Sequence, residues 1–153
     1  MKESAFIFGL LVLIFLYILF YDLKYYKIPN WCSIFIFILG FIYIIVNDNE
    51  LHDIFYYLII SFSVLVAGFF LFAQKIWGAG DAKLMAAAVF FIDIPQILYF
   101  LLASFIFGLT WAVFLWLFKN QMDVILDFSK FRKAKIPFAP GIISSLIFVK
   151  IMS

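Results

Sequence analysis

Long runs of apolar residues without a single charge dominate this sequence and restrict what it can fold into. The six runs occupy residues 4–21, 31–46, 54–74, 84–92, 97–118 and 136–149. A helix that crosses a bilayer needs about 20 mainly apolar residues, and most of these runs approach or reach that length. We therefore predict an all-α integral membrane protein with six transmembrane helices, forming a single membrane-embedded domain over residues 1–153.

Composition agrees with a membrane protein and excludes several other classes. Of the 153 residues, 68% are hydrophobic and only 13% are charged, whereas soluble domains carry about 25% charged residues. The net charge of +2 provides no basic surface, so no nucleic-acid partner is expected. Cys32 and His52 are the only cysteine and histidine, and the topology places them on opposite membrane sides. They cannot form a nucleophile and base pair or a zinc site, so we predict no metal and no cofactor.

The basic residues alternate between loops and predict an orientation. Cytoplasmic loops collect Lys and Arg. Loops 1, 3 and 5 hold nine of the eleven basic residues: Lys24, Lys27, Lys75, Lys83, Lys119, Lys130, Arg132, Lys133 and Lys135. These loops are therefore predicted to be cytoplasmic and both termini to be outside. Loop 5, residues 119–135, also contains apolar residues and is predicted to form an amphipathic stretch on the inner leaflet.

Two acidic residues are not explained by this topology. Asp22 directly follows the first apolar run, and Asp81 precedes the short fourth run. Even a helix over residues 81–92 would be about 18 Å long, against a hydrocarbon core of about 30 Å. Asp81 is therefore predicted to lie within membrane depth. An ionisable residue at that depth is costly and by default indicates a functional site.

Asp22 and Asp81 would form an acid and base pair if they converge at the cytoplasmic side. One carboxylate takes a proton from water while the protonated partner polarises a carbonyl. Gly78 and Gly80 predict an irregular backbone before Asp81, with room for another backbone to approach. Structural roles stay open for the same residues: Asp22 as an interfacial acid, Asp81 as a helix N-cap and Lys83 as an ordinary cytoplasmic charge.

Three segments resemble the type IV prepilin peptidase family. Residues 78–81 (GAGD) match the Gly-x-Gly-Asp motif of intramembrane aspartyl proteases. Residues 22–30 (DLKYYKIPN) resemble the first catalytic segment of the family, an Asp followed by Ile-Pro-Asn. Residues 136–141 (IPFAPG) are similar to the start of its last helix. The three segments occur in the order that the family has.

The resemblance implies an intramembrane aspartic endopeptidase that removes the short basic leader from prepilin or pseudopilin precursors. It implies that Asp22 and Asp81 are the catalytic pair and that Gly78 and Gly80 shape the substrate loop. The active site would face the cytoplasm from the cell membrane, in contact with membrane lipid. The paired Cys-x-x-Cys segment of larger, bifunctional members is not found in this sequence. The resemblance is thus to the short, peptidase-only form of tight-adherence pilus systems or its archaeal relatives, without methyltransferase activity.

Two other functions stay open at the level of sequence. A small proton- or cation-coupled transporter or channel subunit would use the same two aspartates, whereas an assembly or scaffold subunit would need neither. Detection of a shortened pilin precursor separates the peptidase from both alternatives, because neither of them cleaves a peptide bond.

Overall fold

The computed structural model describes residues 2–25, 27–47, 51–74, 77–117 and 138–152. The helices are α1 (Lys2–Tyr25), α2 (Asn30–Val46), α3 (Leu51–Ala73), α4 (Ala79–Ala88), α5 (Ile97–Leu117) and α6 (Ala139–Met152). Two short 3-10 helices, Val89–Phe91 and Ile94–Gln96, connect α4 to α5. The described residues contain no strand, so the predicted all-α class is confirmed.

Three helices, α1, α3 and α5, are long and apolar enough to cross a membrane. Their apolar segments are 20 to 22 residues long, at Phe6–Tyr25, His52–Ala73 and Ile94–Leu115. Helices α2 and α6 are apolar but shorter, with 17 and 14 residues. The predicted amphipathic stretch at 119–135 lies outside the described residues, and so do the first two residues of the 136–141 segment.

Helix α4 lies inside the bundle. It packs against α2, α3 and α6, and the 3-10 helix that follows it packs against α2 and α3. Residues 84–92 are almost completely buried. The ten α-helical residues and the 3-10 turn together span about 21 Å, less than a hydrocarbon core of about 30 Å. The short fourth element predicted from the sequence is present, and its helix begins at Ala79, ahead of the apolar run.

Small residues let α5 and α6 approach each other closely. Gly141 of α6 lies against the backbone of Gly108 in α5, where an added Cβ would meet the Gly108 Cα at 2.6 Å. The hydroxyls of Ser104 and Ser145 form a hydrogen bond of 2.6 Å across the same helix pair. Such close, hydrogen-bonded contacts are typical of helices that associate in membranes. They hold the first half of α6 firmly against α5.

Candidate active site

Four helix ends meet at one end of the bundle and define the candidate site: the end of α1 and the starts of α2, α4 and α6. The Asp22 carboxylate near the end of α1 accepts the backbone N–H of Ala139 at the start of α6. Ile28, in the connection between α1 and α2, lies against Gly80 in the first turn of α4. The three segments singled out from the sequence are therefore neighbours in space.

Asp22 is buried although its helix is long enough to span a membrane. Its side chain is 3% exposed, and its Oδ2 atom accepts the N–H of Ala139 at 3.3 Å. Ala139 is the first residue of α6, where N–H groups lack partners within the helix and the helix dipole is positive. The start of α6 thus stabilises negative charge on Asp22.

Asp81 lies in the first turn of α4 and is 7% exposed. The N-cap of α4 is Gly78, and Oδ2 of Asp81 accepts the Gly78 N–H at 3.1 Å. Asp81 is therefore the third residue of the helix and not the N-cap, the structural role that the sequence left open. A carboxylate at this position can reach back to the N-cap N–H. The Asp81 carboxylate thus lies at the positive end of its own helix α4, as the Asp22 carboxylate lies at the positive end of α6.

The two glycines of the motif provide space rather than an unusual backbone. Gly78 is extended, with φ −79° and ψ 143°, and Gly80 is helical, so the irregular backbone predicted before Asp81 is wrong for Gly80. A Cβ added at Gly78 would lie 2.5 Å from Oδ2 of Asp81, and one at Gly80 would lie 2.9 Å from the Cβ of Ile28. The space beside Gly80 that was predicted to admit another backbone is filled by Ile28.

An aromatic cluster joins the segments that hold the two aspartates. The Trp77 indole stacks on Phe105 of α5 with ring centroids 5.0 Å apart, and it meets Phe138 edge-on at 5.3 Å. Trp77 directly precedes Gly78, and Phe138 directly precedes Ala139. Gly78 and Ala139 are the residues whose N–H groups bind the aspartates. The cluster therefore links the two backbone donors through aromatic packing.

Lys83 connects α4 to α2. Its Nζ atom donates a hydrogen bond of 2.9 Å to Oδ1 of Asn30. The N-cap of α2 is Pro29, and Asn30 is the first residue of that helix. The Asn30 side chain is thus used for the contact with α4 and not for capping α2.

The two aspartates belong to helices that share neighbours. Helix α1 packs on α2 and α6, and α4 packs on α2, α3 and α6. Within the described ranges, α1 and α4 are thus held near each other mainly by their shared neighbours α2 and α6, and not by a long interface of their own. In the same part of the chain, no group of three or more His, Cys, Asp or Glu side chains is placed to hold a metal ion.

The sequence did not single out every residue that builds the site. Phe105 lies within a uniformly apolar run, so no change of hydropathy or spacing marks it. Ala139 contributes only its backbone N–H, which no residue type reveals. Trp77 carries the one available signal, because a large aromatic residue directly precedes the first glycine of the motif.

The fold and the site together define a helical protein that is embedded in a membrane and carries two buried aspartates at one end of its bundle. The sequence profile of the type IV leader peptidase family matches residues 9–113, a range that includes both aspartates and both motif glycines. Comparisons with curated proteins and with solved structures gave no match. The chain belongs to the type IV leader peptidase family, and this membership indicates a peptidase. The similar segment at 136–141 lies beyond the matched range.

Proposed function

We propose that this protein is an intramembrane aspartic endopeptidase in which Asp22 and Asp81 are the catalytic pair. Its substrates are prepilin or pseudopilin precursors, from which it removes the basic leader. One observation carries the proposal: each carboxylate is buried and accepts a backbone N–H at the start of a different helix, at the same end of the bundle. Membership of the leader peptidase family supports peptide-bond cleavage.

The proposed reaction uses the two carboxyl groups as a unit. One carboxylate takes a proton from water, whose oxygen bonds to the peptide carbonyl carbon, while the protonated partner donates to the carbonyl oxygen. The carbon–nitrogen bond then breaks, and the leaving amine takes a proton from the pair. Neither aspartate is assigned as the permanent base, because interacting carboxyl groups titrate together. The hydrogen bonds from Gly78 and Ala139 orient the carboxyl groups in advance, which favours catalysis.

We further propose six spans in the cell membrane, with both termini outside and the candidate site at the cytoplasmic end. Lys24 and Lys27 lie at or just after the end of α1, and Lys83 lies in the first half of α4. Basic residues favour the cytoplasmic side. A precursor with a hydrophilic leader followed by an apolar helix would present its scissile bond at that boundary. No methyltransferase activity is part of the proposal.

Co-expression with a prepilin precursor tests the catalytic pair. Asp22→Asn and Asp81→Asn are each expected to lower leader removal at least about 100-fold, the lower range for loss of a general acid or base. An Asn amide oxygen can still accept the backbone N–H, so the helix starts stay supported. Asp93→Asn is the matched control, because Asp93 is exposed and follows the other end of α4. It is expected to leave cleavage unchanged.

Leader removal is read directly, by the size and the new N-terminus of the precursor. Continued cleavage by either Asn variant in the site would contradict the catalytic pair. A transporter subunit would also depend on both aspartates, but the wild-type protein would then yield no shortened precursor. The same measurement therefore separates the two functions.

A further inference from the structure

A groove of about 530 Å³ lies between α2, α3 and α4, apart from the candidate active site. Its walls are apolar side chains of α2 and α3 together with the small residues Ala86 and Ala87 of α4. Helix geometry turns these alanines and Lys83 about 140° to 240° away from Asp81, at 100° per residue. The groove therefore lies on the side of α4 opposite to Asp81, and a bound molecule there is separate from the proposed scissile bond.

Three of the four charged or polar residues that line the groove lie towards the end of the bundle where α2 and α4 begin, and the fourth, Ser61, donates its hydroxyl to the Ala86 carbonyl. Lys83 and Asn30 are exposed there. The Lys83 ammonium uses one donor on Oδ1 of Asn30, and a lysine carries three. The ammonium and the amide N–H groups of Asn30 can therefore bind an anion together. The next turn of α2 brings Ser33 into the groove lining.

Ser33 supplies an independent sign of a ligand. It is 5% exposed, and its Oγ atom has no hydrogen-bond partner within the described part of the chain. A buried hydroxyl without a partner is costly. The residue lines the groove, and rotation about its Cα–Cβ bond would turn the enclosed hydroxyl towards an acceptor on a molecule in the groove.

We propose that the groove binds one anionic glycerophospholipid. Its phosphate contacts Lys83 and Asn30, an ester carbonyl accepts the Ser33 hydroxyl, and one acyl chain lies along the apolar wall between α2 and α3. The order of groups in the groove, from a cation through a hydroxyl to an apolar wall, matches the order of groups in such a lipid. The positive charge of Lys83 selects an anionic headgroup.

The size of the groove favours a lipid chain over a peptide helix. A helix with its side chains is 10–12 Å wide and rises 5.4 Å per turn, so one turn occupies about 400–600 Å³. The groove would hold only about one such turn. A single acyl chain is much thinner and can fill the same space along its length.

Native mass spectrometry of the detergent-purified protein tests this site, with phosphatidylglycerol and phosphatidylcholine as the two probes. The wild type is expected to bind one phosphatidylglycerol more tightly than phosphatidylcholine. Lys83→Gln is expected to weaken phosphatidylglycerol binding about fivefold, the effect of one basic residue near an anionic lipid, and Lys83→Arg is expected to retain it. Lys24→Gln is the matched control. Lys24 lies at the same end of the bundle over the Tyr25 ring, and it is not part of the groove lining.

A second variant tests the depth of the site. Ser33→Ala is expected to weaken the binding of both lipids, because the ester carbonyl is common to them, whereas Lys83→Gln weakens the binding of phosphatidylglycerol alone.

Equal binding of the two lipids by the wild type would overturn the proposal. So would equal losses in Lys83→Gln and Lys24→Gln. No precursor is present in this measurement, so its outcome is independent of the proposed peptidase activity.

One further outcome assigns the groove to a peptide instead. If adding the precursor displaces the bound phosphatidylglycerol from the wild-type protein one for one, the groove binds the peptide, and the lipid proposal fails. No displacement by the precursor, together with the selective loss of phosphatidylglycerol in Lys83→Gln, supports the lipid site.

Discussion

Each buried aspartate is matched by a backbone donor at the start of a helix. A lone carboxylate in a bilayer is costly, and the first N–H groups of a helix have no partner within that helix. The contacts of Asp22 with Ala139 and of Asp81 with Gly78 give each carboxylate a hydrogen-bond donor and each helix start an acceptor. The positions of the two charges therefore depend on where α6 and α4 begin, and a change that moves either start is expected to disturb the pair.

Gly80→Ala is expected to slow leader removal about 10-fold to 100-fold. The added Cβ would lie 2.9 Å from the Cβ of Ile28, so the first turn of α4 is pushed away from the connection between α1 and α2, and Asp81 is expected to move with it. A displacement of about 1 Å in a catalytic group can cost about 100-fold in rate. The measurement is the cleavage rate of purified precursor by purified enzyme.

A control and a rescue separate this clash from a general effect of removing a glycine. Gly9→Ala is expected to leave the rate unchanged, because an added Cβ there meets nothing within 4 Å. The double variant Gly80→Ala, Ile28→Gly removes the opposing Cβ and is expected to recover part of the rate. If the double variant is no faster than Gly80→Ala alone, the contact with Ile28 is not the cause.

At the scale of helices, the apolar runs predicted most of the elements. Helices α2, α3 and α5 agree with their runs to within three residues at each end. Helices α1 and α4 extend past charged residues where the runs stop: α1 includes Asp22 and Lys24, and α4 includes Asp81 and Lys83. Hydropathy alone ends a span at a charge. In the structure, three of these charges are held by partners from the start of another helix or of their own helix.

Contacts between helices could not be predicted from the sequence. The two aspartates stand out because charges are rare in this chain, so they could be predicted without knowing which helices are neighbours. The partners of Asp22 and Lys83 depend on which helix starts lie beside them, and the packing of Phe105 on Trp77 joins residues from separate elements. A single sequence does not specify those neighbours, so the site was predicted as a set of residues and not as an arrangement.

The aromatic cluster of Trp77, Phe105 and Phe138 is expected to position the two aspartates relative to each other. Phe138→Leu removes the edge-on contact with Trp77 and is expected to lower kcat about 10-fold while KM changes little. The cluster positions the segments whose N–H groups bind the two aspartates, so its loss is expected to affect the chemical step and not the binding of the peptide. Steady-state cleavage kinetics measure the split between kcat and KM.

Phe148→Leu is the matched control for the cluster. Phe148 packs edge-on against Phe107, so it joins the same helices α5 and α6 farther from the aspartates. Phe148 is 46% exposed, so its loss is expected to lower the melting temperature less than Phe138→Leu does, and to leave kcat unchanged. Trp77→Leu combined with Phe138→Leu should be less than additive in kcat, because both break one contact. Equal kcat losses in the two single Phe variants would indicate a purely structural role.

At the scale of the whole molecule, the two ends of the bundle differ in charge. The end with the candidate site carries Lys24, Lys27 and Lys83, whereas Asp53 and Asp93 lie at the start of α3 and after α4, at the opposite end. Lys2 at the start of α1 and Lys150 in the last turn of α6 also lie at that opposite end, where the Lys150 ammonium sits over the ring of Tyr43. Among the described residues, three lysines at the site end against two at the other end favour a cytoplasmic position for the end with the aspartates.

Labelling of single cysteines in intact cells tests this orientation. Cys32 is completely buried, so the wild-type chain is expected to give little background with a membrane-impermeant maleimide. Lys27 and Asp93 are both exposed, so a cysteine at either position is accessible from its own side of the membrane. Asp93→Cys is expected to be labelled in intact cells and Lys27→Cys only after the cells are opened. The reverse pattern would place Asp22 and Asp81 on the outer side, away from a leader that faces the cytoplasm, and would contradict the proposed cleavage.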